Sequence, residues 1–227
     1  KFILKYTNEI SNNNSNNQYN IIVTDKKENL RLFKAYLIIY YLNLKFNNLP
    51  SYLGVDCEFN TKKIALIQIN FEQSNLHLYN SSLIFLFDPK QLSNNWILFF
   101  IQKILCNLNC YKILHGPDSL DLPYIFRELL HNDYKYIEKF TSRLIDTKYL
   151  CEYKYFMQNK ELGKCKINNV LKDEGIITNN KYESLLLDEK KMGPIYDIII
   201  NVNNMSTLLI KYAMTDVLWL PHLVDNF

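Results

Sequence analysis

The chain has 227 residues, of which 48% are hydrophobic and 22% charged, with a formal charge of +3. A single domain of this size buries roughly 70–75% of its unfolded surface and needs no disulfides to fold. The small charge excludes a nucleic-acid coat protein held by charge alone, and the absence of any run of about 18 apolar residues excludes a membrane-spanning helix, so no membrane partner is expected.

Residues 7–19, TNEISNNNSNNQY, are rich in Asn and Ser and poor in apolar groups. Residues 1–18 therefore read as a poorly ordered tail ahead of one domain over 19–227. Residues 19–23 form a strand candidate. Residues 26–44 are helical, with Leu30, Phe33 and Tyr36 near helical spacing and Thr24 or Asp25 as cap. A break at 47–50 precedes three β-like runs, 52–59, 64–71 and 83–88, and the short linker at 61–63 makes neighbours antiparallel. Residues 92–108 read as helix, 111–114 as strand, 121–130 as helix and 144–146 as a short strand. Helical segments follow near 147–157 and 167–174. Residues 178–204 look irregular, and 206–220 form a closing amphipathic helix. Strands first, then strand–helix alternation, predict a three-layer α/β fold around a mixed sheet of five or six strands.

The cysteines are Cys57, Cys106, Cys110, Cys151 and Cys165, with no CxxC pair. Their spacing and odd number predict reduced, mostly buried thiols in an intracellular protein. Cys106 and Cys110 can share a helical face, but two soft ligands alone make a poor zinc site. The chain opens on Lys, so it is expected to be a piece of a longer protein, and a missing targeting signal excludes nothing.

The informative feature is acid where the pattern expects apolar residues. In Leu53-Gly-Val-Asp-Cys-Glu-Phe59 the side chains alternate faces, so Asp56 and Glu58 share one face and Val55, Cys57 and Phe59 the other. In a central strand the two carboxylates repel and resist desolvation, unless a cation sits between them. On an edge strand they are ordinary solvent-facing acids. In the last helix, Tyr212 and Asp216 stand one turn apart on the border of the stripe Leu209, Ala213, Val217 and Leu220, close enough to hold one water between them. A buried Tyr and an Asp with a basic partner give the same pattern. In the segment from Lys112 to Phe126 a strand ends at His115, Gly116-Pro117 turns the chain, and Pro123 puts a helix start near Asp121. Asp121 then points towards the sheet or serves as a plain helix cap, and Asp118 falls in the loop.

These segments together resemble the DEDD exonuclease superfamily, in its Tyr-containing branch, with ribonuclease D, the exosome-associated nuclease and the Werner-type exonucleases as the nearest likeness. The resemblance rests on Val-Asp-Cys-Glu-Phe at 55–59, followed by Ala65-Leu-Ile-Gln-Ile69 and Phe85-Leu-Phe-Asp-Pro89; on Lys112-Ile-Leu-His-Gly116 with a following Asp; on Leu144-Ile-Asp-Thr147; and on Tyr212-Ala-Met-Thr-Asp216. It covers about residues 19–227. The second motif departs from the family: acids stand three and six residues after His115, where the usual spacing is five. A one-residue insertion favours Asp121, with Asp118 the fallback.

The resemblance implies a ribonuclease H-like fold and a two-metal 3′→5′ exonuclease. Asp56, Glu58, Asp121 and Asp216 would hold two Mg²⁺ or Mn²⁺ ions, and Tyr212 would orient the attacking water. All-oxygen ligands suit hard cations rather than zinc. The substrate would be single-stranded nucleic acid with a free 3′ end, RNA slightly favoured over DNA, and the products nucleoside 5′-monophosphates. His115, Lys62 and Lys63 are candidates for phosphate contact and Phe59 and Tyr124 for base stacking; solvated turn lysines, a structural His and core aromatics are their plainer readings. Two other functions fit the same residues: a nuclease-fold binding or scaffold module without activity, and a metal-dependent phosphohydrolase acting on small nucleotides.

Overall fold

The computed structural model describes residues 3–9, 16–23, 27–47, 50–71, 81–160 and 165–227. The chain opens with an antiparallel pair, β1 (Ile3–Glu9) and β2 (Asn16–Val23). α1 (Lys27–Asn47) leads to the hairpin of β3 (Ser51–Asn60) and β4 (Lys63–Phe71). Thr61 and Lys62 at its turn take φ of 44° and 63°, a backbone that reverses two twisted strands without splaying them. β5 (Ser81–Phe87) pairs antiparallel to β4 and parallel to β2. β6 (Cys110–Leu114) and β7 (Leu144–Asp146) extend the sheet in parallel beyond β3. The strand order β1-β2-β5-β4-β3-β6-β7 makes β3 an interior strand of a mixed sheet.

Helices cover both faces. On one side α1 and α2 (Asn94–Phe100), with a π-helical continuation over Ile101–Leu105, enclose an aromatic core of Phe33, Phe71, Phe85, Phe87, Trp96 and Phe100. α3 (Asp121–Tyr124), continued as a π-turn over Ile125–Leu129, and α4 (Tyr134–Thr141) pack on the same side. On the other side lie α5 (Thr147–Met157), α6 (Ile167–Asp173), α7 (Asn179–Met192), α8 (Thr207–Leu218) and α9 (Leu220–Asn226). Their core includes Ile113, Leu171, Ala213, Met214, Val217 and Trp219. No helix among the described residues is long and apolar enough to cross a membrane.

The expected three-layer α/β architecture is the observed one, with seven strands in place of five or six. The difference lies at the start of the chain. The stretch expected as a poorly ordered tail supplies β1 and the beginning of β2, because strand pairing satisfies main-chain groups that composition does not weigh. Its Asn-rich centre, residues 10–15, and the expected caps Thr24 and Asp25 lie outside the described residues. The stretch 178–204, expected to be irregular, contains α7: Thr178 accepts from the Lys181 N–H at its start, and Gly193 at φ 76° ends it. Polar Asn179-Asn180-Lys181 hides that helix, whose buried side is narrow.

The expectation of reduced thiols is also corrected. Cys151 of α5 and Cys165, just before α6, form a disulfide with Cα atoms 6.0 Å apart, while Cys57, Cys106 and Cys110 are free and buried. Their spacing of 14 carries no pairing signal.

Candidate active site

Alternation along β3 turns Asp56 and Glu58 to the face that α8 covers, and Glu58 keeps only 6% of its surface exposed. β6 pairs with β3 only over Ser51–Gly54, so what overturns the solvent-facing reading of these acids is their burial beneath α8 on an interior strand. Asp216 arrives from α8, where Leu209, Ala213 and Val217 bury the helix against the sheet. Ligand oxygens of Asp56, Glu58 and Asp216 all lie within 4.8 Å of one another. The ion pairs among the described residues, Arg127–Glu128, Lys154–Glu174 and Lys211–Asp188, involve none of the three.

Asp121 is the first residue of α3, and the cap position before it is held by Leu120. The Cys57 N–H faces its carboxylate, and its Oδ1 is buried without a partner. Asp118 is exposed in the preceding turn. The plain-cap reading of Asp121 therefore fails, and of the two acids it is Asp121 whose charge reaches Asp56, Glu58 and Asp216.

Electrostatics follow from this crowding. Burial, and then the charges of Asp121 and Asp216, raise the Asp56 pKa well above the ordinary carboxylate range; the Cys57 N–H and Gln68 act in the opposite sense. Burial followed by Asp56 and Asp121 does the same to Glu58. Asp216 is raised by burial and by the charges of Glu58, Glu189 and Asp121, against a hydrogen bond from the Tyr212 hydroxyl. Asp121 is pushed up to about 7, mainly by burial. The Tyr212 phenol is raised first by the Asp216 charge and then by burial.

Gln68 completes the arrangement. It faces Asp56 across the ladder, is wholly buried, and donates Nε2 to Asp56 Oδ2 at 3.1 Å and to Glu58 Oε1 at 3.5 Å. Sequence reasoning placed no role on it. The sequence shows only a lone amide in the apolar run Ala65–Ile69; a two-residue turn alone would set Ile67 opposite Asp56, and a bulge between Glu58 and Phe59 shifts the register by one to bring Gln68 there. Glu189 of α7 is a second addition, since its charge raises both Asp216 and Tyr212.

The remaining candidates stand elsewhere or are already engaged. His115 uses both ring nitrogens inside the protein, Nδ1 with Thr147 Oγ1 at 2.9 Å and Nε2 with the Cys165 carbonyl at 2.8 Å. Lys62 and Lys63 are exposed at the hairpin turn, and the Lys62 carbonyl accepts from Arg127. Phe59 packs on Tyr124 with ring centroids 4.8 Å apart, at the border of the aromatic core.

An all-oxygen set of crowded carboxylates that forms no ion pair among the described residues has the composition of a hard divalent-cation site, and the unpartnered Asp121 Oδ1 fits the same group.

No protein-family model matches the chain. A search of curated proteins finds the uncharacterized protein L533 of Acanthamoeba polyphaga mimivirus, 36% identical over 217 residues; the alignment covers 89% of this chain and 40% of that protein. The chain thus spans about two fifths of the length of this relative. Among solved structures, the Aedes aegypti Nibbler EXO domain superposes with a TM-score of 0.56 at 13% identity, covering 91% of this chain and 86% of that one. The EXD2 exonuclease domain soaked in Mn and Mg gives a TM-score of only 0.39 at 13% identity, with 91% and 87% coverage. The fold is therefore that of the ribonuclease H-like exonuclease domains, and the chain carries an acidic cluster within it.

Proposed function

We propose that this chain is a metal-dependent 3′→5′ exonuclease of the Tyr-containing DEDD type, acting on single-stranded nucleic acid with a free 3′ end, with RNA favoured over DNA. The observation that carries the reading is the meeting of Asp56, Glu58 and Asp216, drawn from the first and last thirds of the chain, within 4.8 Å and without an ion pair among the described residues. Likeness of fold to an exonuclease domain supports it.

Asp56, Glu58, Asp121 and Asp216 would hold two Mg²⁺ or Mn²⁺ ions. Bound there, such ions make a water acidic enough to attack phosphorus and stabilise the departing 3′ oxygen. The chain's own groups do the positioning. Gln68 fixes the orientation of Asp56 and Glu58 from the adjacent strand. Tyr212 keeps its proton at neutral pH because the Asp216 charge opposes phenolate formation, so it acts as a hydrogen-bond donor that orients and not as a base. Hydrolysis would break the phosphodiester on its 3′-oxygen side and release a nucleoside 5′-monophosphate.

A 5′-labelled single-stranded RNA and its DNA counterpart, incubated with Mg²⁺ or Mn²⁺, test this. Ladders shortened from the 3′ end are expected, RNA the faster. An Asp56→Asn variant that degrades either strand at the wild-type rate would overturn the assignment.

A further inference from the structure

A cavity of about 650 Å³ lies at the foot of the sheet, far from the four acids. Pro50, just ahead of β3, lines it, and Asp56 stands roughly 20 Å further along the extended strand. Its charge is one-sided: Lys45 of α1 and Arg143 line it, and no Asp or Glu does among the described residues. Among the described residues neither cation forms an ion pair.

Arg143 is held in place. Its Nη1 donates to the Tyr111 hydroxyl at 2.6 Å, its guanidinium lies 5.0 Å from the Tyr111 ring centroid, and that ring stacks on Tyr52 at 5.3 Å. Among the described residues the guanidinium has no other hydrogen-bond partner recorded, and its fork of N–H groups suits phosphate oxygens. Next to Tyr111 stands Lys112, fully buried, with Nζ donating to the Cys110 carbonyl at 3.0 Å and no carboxylate beside it. Burial pulls its pKa down to about 8, and the Arg143 charge acts in the same direction. Lys112 does not line the cavity, so the charge a bound anion would meet is that of Lys45 and Arg143. The rest of the lining is neutral, including Tyr41 and Leu108.

We propose that this cavity binds a phosphate ester of nucleotide size, its phosphate on Arg143 and Lys45 and its ring body against Tyr41 and Leu108. The volume falls within the range of small-ligand pockets. The same chemistry is offered by a free nucleoside monophosphate and by one nucleotide of a strand. The site does not depend on the nuclease reading.

Titration calorimetry in EDTA tests it with GMP, guanosine, inorganic phosphate and a five-nucleotide RNA. GMP binds saturably and guanosine at least tenfold more weakly. Arg143→Gln and Lys45→Gln each weaken GMP at least tenfold, while Asp56→Asn leaves it unchanged. Lys45 is exposed, so its variant reads the charge even where Arg143→Gln fails to fold. RNA binding tighter than GMP identifies a strand as the source of the phosphate; equal or weaker binding identifies the free nucleotide. The proposal falls if GMP does not bind, if guanosine binds as well as GMP, or if Asp56→Asn abolishes binding that the cation variants retain.

Discussion

Gln68 and Asp56 are directly opposed on neighbouring antiparallel strands, and the Gln68 amide donates to the Asp56 carboxylate at 3.1 Å. The same amide reaches Glu58. One neutral donor thus holds two acids that would otherwise repel freely. Gln68→Leu keeps the volume and removes the donor. It should lower Mn²⁺ affinity and nuclease rate by ~10–100-fold with the circular dichroism spectrum intact. Wild-type affinity in the variant would show that the strand alone aims the carboxylates.

Tyr212 donates to Asp216 while Asp216 takes part in the acidic cluster, so the two roles separate by mutation. Tyr212→Phe should retain Mn²⁺ binding and lose about a hundredfold or more in kcat. Loss of metal binding in step with activity would instead make the phenol a structural support of Asp216.

Part of the candidate site is legible in the sequence. Alternation placed Asp56 and Glu58 on one face, and the one-turn spacing joined Tyr212 to Asp216; both relationships are local and follow from backbone period alone. Long-range relationships were not. Gln68 required the bulged hairpin register, Glu189 required α7, and the Cys151–Cys165 pairing required the placement of α5 beside the start of α6. His115 shows the converse: a polar residue at a strand end next to a motif reads as functional, yet Thr147 and the Cys165 carbonyl take both of its nitrogens.

Metal-free protein should lose stability as pH rises from about 4 to about 7. The Asp121 carboxyl moves from 3.8 to about 7 on folding, so between these values the folded state holds a proton that the unfolded state has released. The contribution is complete below the lower value and gone above the upper one. Asp56, Glu58 and Asp216 shift in the same direction and reinforce it. The melting temperature in EDTA should therefore be lower at pH 8 than at pH 5, and Asp121→Asn should flatten the profile. Mn²⁺ at a hundredfold excess over its Kd should restore about 2.7 kcal/mol at pH 8. A melting temperature that rises across this range would contradict the buried-acid account.

The disulfide closes a short loop, with 14 residues of sequence separation. Closure of such a loop stabilises by about 3 kcal/mol through the unfolded chain, which for this length corresponds to a melting shift of about 6–12 °C. Cys151→Ser with Cys165→Ser, or treatment with dithiothreitol, should lower the melting temperature by that amount. Under denaturing, non-reducing conditions only Cys57, Cys106 and Cys110 should react with a thiol reagent. Reaction at all five positions would show the bond to be absent in solution.

Helix α8 approaches β3 more closely than any side chain at position 54 allows. A Cβ on Gly54 would stand 2.6 Å from the Val217 carbonyl oxygen and 3.4 Å from Leu220 Cβ. From β4, the Asn70 amide donates to the carbonyls of Val217 and Leu218 at 3.2 and 3.0 Å, so the end of the helix is tied to the sheet beside that glycine. Asp216 immediately precedes the tied residues. Gly54→Ala must lift α8 or strain β3, at a cost of about 1–3 kcal/mol, and lifting the helix carries Asp216 away from Asp56 and Glu58. The variant should melt several degrees lower and bind Mn²⁺ at least tenfold more weakly. Lower stability with unchanged Mn²⁺ affinity would mean that the close approach serves packing alone and that the carboxylates keep their geometry without it.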